Sequence, residues 1–542
     1  MKITLRITAL LFALVMILST TVSCGALFDK FFNKGDNETE QTDVKDTGKK
    51  PANKDSSATQ EGTDSETETE VETDEWGQVV IDKSELEGLN FNGAVVNVVV
   101  REAQYGREWT REKIQDAVDN EVFKRNRKVQ TNLNVTFNFI TIADNSQTSG
   151  GGKPMTEAIT KVAQSGGKEY DILNQYRNDA GGLELMPYYA NVRSSDFLYL
   201  DLDQPYWSQN FNKVLNANDK QYFFVGDINL SLWDRAIVTF FNKAQLETYT
   251  GYTEEELYQL VIDEQWTYEV LFNLTKAVHN DATNNGKSQD DFFGLISIGG
   301  SEATDGLLYS WDVALSKTNV DGSHSIVTDS AKQKIIDAGD KLIALYTSNG
   351  AYLNKNSDAN IKQFTEGKAL FSIDTICHNQ SHLAALGEME DGYGVIPTPM
   401  YDTDQEEYYT GVQDAHTIMS VMSGNKDYEM ISAVLEMLAI ESYESVRPYY
   451  VKVIIKSRVL GDTQSGKMFD LIMDGVTLDF IDMFEGVDPK VRWQLWRKPF
   501  QRSVGFISGG ELSFATAFEE ANGNGALDSK LFDLDLFLDR ME

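Results

Sequence analysis

The sequence predicts an α/β protein with a globular body divided into two lobes, and three observations lead there. Apolar runs suited to strands alternate with amphipathic stretches suited to helices. The body, residues 77–542, is longer than the roughly 250–300 residues over which a single core usually grows. No repeat with a 20–50-residue period is present, which excludes solenoids and propellers.

The amino terminus opens with Lys2 and Arg6, an apolar run over residues 7–18, and then Thr21-Val22-Ser23-Cys24. A basic start, a short apolar core and small residues before a cleavage point form a secretory signal peptide. The run falls short of the about 20 residues a permanent membrane span needs. Cys24 followed by Gly25 resembles a bacterial lipobox, with Thr21 where Leu is usual, so residues 1–23 are expected to be removed and Cys24 lipidated. The other reading is an ordinary signal peptide that leaves Cys24 free. Between residues 36 and 75 stand 14 acidic residues against four lysines, with almost no apolar side chains. Such a segment cannot bury enough surface to offset its ordering entropy. Residues 24–76 therefore read as a lipidated cysteine and a disordered acidic tether. An acidic interaction tail is the alternative.

Beyond the tether, residues 94–101 (AVVNVVVR) form a continuous apolar run, the pattern of a strand covered on both faces. Residues 119–133 read as a helix and 135–142 as the next strand. Residues 150–153 (GGGK) break the chain before an amphipathic stretch at 155–164, and 170–173 (YDIL) is a short buried strand. Strand, helix, strand, helix, strand is the order of an α/β sheet. Residues 231–243 (SLWDRAIVTFFNK) contain an apolar strand, 268–279 a helix, and 369–373 a further strand.

Composition narrows the function. A formal charge of −36 argues against a nucleic-acid partner and against a polybasic membrane surface. With Cys24 lipidated, only Cys377 remains, so no intramolecular disulfide is expected, and Cys377 reads as a small buried hydrophobe rather than a nucleophile.

Motifs of known chemistry are sparse. No G-x-S-x-G, Walker loop, dinucleotide glycine pattern or H-E-x-x-H appears. Residues 150–153 have the wrong glycine spacing for a phosphate loop, and Pro154 stands where Ser or Thr is needed. His378 and His382 are two potential metal ligands without a third, better read as a polar helix start. Residues 281–291 (DATNNGKSQDD) have a calcium-loop look, but Thr283 and Phe292 occupy ligand positions, so a solvated turn is the better reading. No cofactor, metal site or catalytic residue is expected.

The middle of the chain carries a family signal. Asn242-Lys243, Trp266-Thr267, Glu366-Gly367-Lys368-Ala369 and Gly394-Val395-Ile396-Pro397 follow one another over residues 90–450. In order and approximate spacing they resemble extracellular solute-binding protein family 1, the sugar-binding receptors of ABC importers. The resemblance implies a two-lobed periplasmic-binding-protein-like fold (type II), with lobes joined by crossing hinge strands and solute held between them. The lobes would comprise 85–236 plus 400–450, and 242–395 plus 455–542. Crossings would fall near 236–241, 395–399 and 450–455. It further implies a monomer, held on the outer face of the cell membrane through its lipid alone, that delivers a small-molecule solute, an oligosaccharide first, to ABC permease subunits.

A sugar offers apolar faces ringed by hydroxyls, so its site needs aromatic platforms beside short polar and charged groups. The candidates are Tyr176 and Arg177 after the 170–173 strand, and Trp233, Asp234 and Arg235 at the first crossing. Tyr309, Trp311 and Asp312 come from the second lobe, with Asp374, Thr375 and His378 after the 369–373 strand. Gln413, Asp414 and His416 come from the returning segment. Trp233 and Trp311 are expected to stack on the solute from opposite lobes. Trp266 is expected to pack at a helix start. Trp207, Trp493 and Trp496 have weaker positional support. Two rival functions share these features. An anchored glycoside hydrolase would use carboxylates about 5–10 Å apart, and a surface sensor or adhesion module could use the same lobes.

Overall fold

The computed structural model describes residues 78–535, apart from 111–116, 144–152, 167–168, 183–184, 217–219, 283, 320–322, 327–328, 425–426, 456–462, 485–490, 522, 526–528, 530 and 532. The chain divides into two units, Met1–Glu70 and Val71–Glu542. The predicted signal peptide, Cys24, the acidic tether and residues 150–152 lie outside the described residues.

Strands β1 (Ala94–Arg101), β2 (Val135–Ile142) and β3 (Ile172–Tyr176) are parallel, with β1 between the other two. Val96, Val98, Val99 and Val100 are fully buried, the outcome that a continuous apolar run demands of a two-sided strand. Helices Ala117–Leu133 and Lys153–Gln164 lie between successive strands, as parallel pairing requires. The third strand starts at Ile172 rather than at residue 170. Asp171 instead turns its carboxylate to the Asn97 N–H at 2.7 Å.

The chain then builds a second sheet from β4 (Ile237–Asn242), β5 (His279–Asn280), β6 (Phe292–Ile298), β9 (Ala351–Asn354), β10 (Ala369–Thr375) and β11 (Tyr393–Ile396). Its order is β11-β4-β10-β6-β5, with β9 beside β6. A separate hairpin pairs β7 (Ser316–Thr318) with β8 (His324–Ile326). Every residue of β4 and β10 is buried. The chain finally returns to the first sheet as β12 (Thr417–Val421), antiparallel to β3. The result is an α/β fold of two lobes, one built round each sheet.

The lobes meet where the first crossing and the return run side by side. Ile237 N donates to the Gly411 carbonyl at 2.8 Å, and Gln413 N to the Arg235 carbonyl at 2.9 Å. The return therefore lies at residues 411–413, not at 395–399. Residues 393–396 still belong to the second sheet, and Met400 is bonded to Trp266 and Tyr268 of that lobe. Phe224 makes an isolated bridge to Met419 and Gly226 one to Trp207. Near 450–455 the chain is the helix Arg447–Ile455 rather than a strand, packed against both Ala117–Leu133 and Thr463–Asp474. Helix Ser301–Ser310 lies against the hinge at Gly306, where a Cβ would stand 2.6 Å from Ile237 Cγ2, so only glycine permits that approach. Among the described residues no helix is long and apolar enough to cross a membrane.

Candidate functional site

Where the lobes face each other, the largest feature is a buried charge cluster. Arg177 opens the short helix Arg177–Ala180 directly after β3, so its side chain leaves the carboxyl end of the strand toward the second lobe. Its guanidinium donates to the Asp482 carbonyl at 2.7 Å and to Asp414 Oδ1 at 2.6 Å. Asp414 also accepts from Arg492 at 2.7 Å and from Arg497 at 3.0 Å. The two arginines bracket a π-helical turn, Trp493–Arg497. Its i→i+5 bonding brings residues five apart onto one face, here toward the same aspartates. Asp305 on helix Ser301–Ser310 receives both guanidiniums, and Tyr309, one turn on, bonds to Asp482 and Arg492. Three arginines thus meet three aspartates, and Asp482, Arg492 and Arg497 tie the lobes together. Burial works against ionisation of Asp414, but Arg492, Arg497 and Arg177 outweigh it and hold its carboxyl well below the usual range. Burial, with Asp482 alongside, keeps the Tyr309 phenol protonated.

The other candidates form a second layer. Asp234 pairs with Arg107 at 3.2 Å and accepts the Tyr450 hydroxyl at 2.7 Å. Arg235 donates to His378 Nδ1 at 3.0 Å, and His378 Nε2 lies 2.9 Å from Asp374. A guanidinium can only donate, so Nδ1 is the acceptor and the ring proton sits on Nε2, facing Asp374. Asp374 takes further bonds from Asn360 and from the Thr375 N–H, both at 2.7 Å. Thr375 is buried. The Gln413 carbonyl accepts from His416 Nδ1 at 3.0 Å; burial and then Arg177 push this imidazole down to about 3, so it is neutral. Arg101 lies over the Tyr176 ring at 4.8 Å. Most of these residues satisfy one another.

Two expectations need correction. Trp233 and Trp311 do not face a cleft: both are fully buried. Trp233 meets Tyr450 and Phe469 edge-on, and Trp311 packs on Tyr268 and Tyr401. Large rings beside a hinge fill core volume first, and Asp312, turned at φ 50°, is the exposed residue of its motif. Trp207 and Trp496 are buried too, while Trp493 is partly exposed. Trp266 packs as expected, donating to the Pro397 carbonyl at 3.0 Å. His378 precedes rather than joins helix Gln380–Gly387, and His382 bonds to Asp358 at 2.8 Å. Among the described residues no group of three or more His, Cys, Asp or Glu side chains is placed to hold a metal. Cys377 is buried, which pushes its thiol up to about 12. Asp281 accepts from the N–H groups of Asn285 and Gly286, an ordinary closed turn.

An open groove of about 420 Å³ lies beside the charge cluster, within the range of small-molecule sites. One wall is the first-lobe helix Gln209–Leu215, with Asn210, Lys213 and, just beyond it, Asn216. The other wall runs from Tyr309 and Asp312 to Lys317 and Thr318 of β7, and Tyr409 and residues 477–480 complete it. Only Tyr309 and Asp312 were singled out from the sequence. The remaining lining residues carry no local motif. Their one sequence signal is polar and aromatic side chains scattered over segments far apart in the chain.

No protein-family model and no curated protein matches the chain. It is similar to several solved structures. One is the GacH receptor of Streptomyces glaucescens, solved unliganded and with acarbose, at 13% identity over 81% of this chain and 99% of that one, TM-score 0.47. Another is an ABC transporter solute-binding protein from Thermotoga lettingae bound with α-D-tagatose, at 13% identity over 81% and 100%, TM-score 0.48. A third is the galacto-N-biose-/lacto-N-biose I-binding protein of the ABC transporter from Bifidobacterium longum, at 12% over 82% and 98%, TM-score 0.46.

Proposed function

We propose that this chain is the lipid-anchored, extracellular substrate-binding component of an ABC importer, which captures an oligosaccharide between its lobes and passes it to a membrane permease. The observation that supports this most is the groove, whose walls come from two lobes joined by paired hinge segments. Binding there couples occupancy to the angle between the lobes, because a solute touching both walls favours the closed population. Tyr409 offers a half-buried ring, and Asn210 and Asn216 offer amides suited to hydroxyl groups. The signal peptide, Cys24 and the tether agree with delivery at the outer face of a membrane. The chain acts as a carrier without turnover, works as a monomer, and touches the membrane only through its lipid.

X-ray scattering during titration with a panel of oligosaccharides tests this. The radius of gyration should fall as a solute binds, and the sugar recovered should be chemically intact. Hydrolysed product at a catalytic rate would move the assignment to a glycoside hydrolase. Uptake of labelled solute that persists after deletion of the gene would favour a sensor.

A further inference from the structure

We infer that the solute of this groove is an acidic oligosaccharide, its carboxylate or sulfate groups clamped between Lys213 of one lobe and Lys317 of the other. The inference rests on the solute-binding reading above and names the class of solute.

The argument starts from charge. The protein carries −36 overall, and many of its lysines are neutralised locally, as with Lys124 on Glu121, Lys243 on Glu254 and Lys368 on Glu366. Lys213 and Lys317 are both exposed and line the groove, and among the described residues neither makes an ion pair. The groove's two carboxylates are in the opposite condition. Asp479 caps helix Phe480–Met483: one oxygen accepts from Leu315 N at 2.7 Å and Ser316 N at 2.9 Å, and the other from Ile481 N at 3.1 Å and the Ser316 hydroxyl. Its lone pairs are committed to three backbone N–H groups and the Ser316 hydroxyl. Asp312 faces Lys334 at 3.5 Å, and that ammonium also bonds the Asp312 carbonyl at 2.7 Å. Two ammonium groups therefore remain uncommitted, one on each wall.

A neutral sugar would leave both charges without a partner, whereas an anionic one pairs with them from both sides on closure. The protein's general negative field opposes an anion only weakly at this site. It is screened over about 8 Å at physiological salt, while contacts to the two lysines act at hydrogen-bond range and are strengthened by charge. Asn216, in the same lining, carries a buried Oδ1 acceptor without a partner.

The test is calorimetric titration of the full mature chain with three probes. These are an oligogalacturonate, its carboxyl-reduced neutral counterpart, and a sulfated oligosaccharide of similar length. At least one acidic probe should bind about tenfold or more tightly than the neutral one, and the two acidic arms tell carboxylate from sulfate. Lys213→Gln and Lys317→Gln should each weaken the acidic probe about tenfold, leave any neutral binding unchanged, and be rescued in part by Lys→Arg. Raising the salt concentration should weaken binding of the acidic probe in the parent more than in either Gln variant. Both side chains are exposed, so thermal melts should coincide with the parent. Equal or tighter binding of the neutral probe, unaffected by the lysine variants, would overturn the inference and leave the solute-binding reading standing. Failure of all three probes at millimolar concentration would overturn both.

Discussion

Asp414→Asn is the most informative single change in the molecule. The side chain keeps its shape and loses its charge, so the buried cluster passes from three cations against three anions to three against two. The side chains of Arg177 and Arg492 are 2% exposed, and those of Asp414 and Arg497 16% and 17%, so water rescues little of the imbalance. Removing one partner from a buried ion cluster costs about 3–5 kcal/mol, a large part of the about 5–15 kcal/mol that holds a typical protein folded. A body of roughly 460 residues unfolds with an entropy of about 1 kcal/mol/K, so Tm should drop by about 3–5 °C. Urea denaturation and thermal melts read this directly. Arg497→Met in the Asp414→Asn background returns the cluster to two against two, and should recover part of the loss as a coupling of about 0.5–3 kcal/mol. The acid side gives a second check. The carboxyl of Asp414 is held well below its ordinary 3.8, so its stabilisation is complete above that value and fades as pH falls toward the folded-state value. Parent and Asn variant should converge in strong acid. A loss under about 1 kcal/mol at neutral pH, with no coupling to Arg497, would refute the idea that this cluster ties the lobes together.

Trp233→Ala and Trp311→Ala should each cost roughly 3–5 kcal/mol of stability, seen in melts, while solute affinity in the folded fraction stays unchanged. Glu436, in contact with Tyr206 and Trp207, is raised by burial from its ordinary 4.5 to about 7. The native state therefore holds a proton that the unfolded chain releases, and stability falls as pH rises between these values. Glu436→Gln should flatten that slope in denaturant titrations run from pH 4.5 to 7. Cys24→Ser should abolish acyl labelling and shed the protein from the membrane fraction into the medium; unchanged retention would remove the lipid anchor from the proposal.

The first two parallel strands were the most legible part of the sequence. β1 and β2 fall on residues 94–101 and 135–142 as expected: the apolar run AVVNVVVR lies in the middle of the sheet, and VTFNFITI alternates buried and exposed residues at its edge. The return crossing was less legible, because β11 and the segment after it stay bonded to the second lobe through Trp266 and Tyr268, and nothing local signals that pairing. Among the candidate site residues, Arg177, Tyr309 and Asp414 do come together between the lobes. Their partners Arg492 and Arg497 are brought into line by a π-helical turn, a feature that α-helical periodicity does not anticipate. The tryptophans misled because a bulky ring near a hinge is equally suited to stacking on solute and to filling core, and hydropathy does not separate the two. Lys213, Lys317 and Tyr409 were invisible for a different reason. None carries a local signal until the fold brings it to the same groove.

The central claim, that solute is held between the two walls of the groove, is tested most directly by hydrogen exchange on the full mature chain with and without a bound oligosaccharide. Helix Gln209–Leu215 and residues 312–318 should gain protection together, at one solute concentration and to saturation, because one molecule bridges them. Protection of one wall alone, or of neither while binding is seen by calorimetry, would contradict the account.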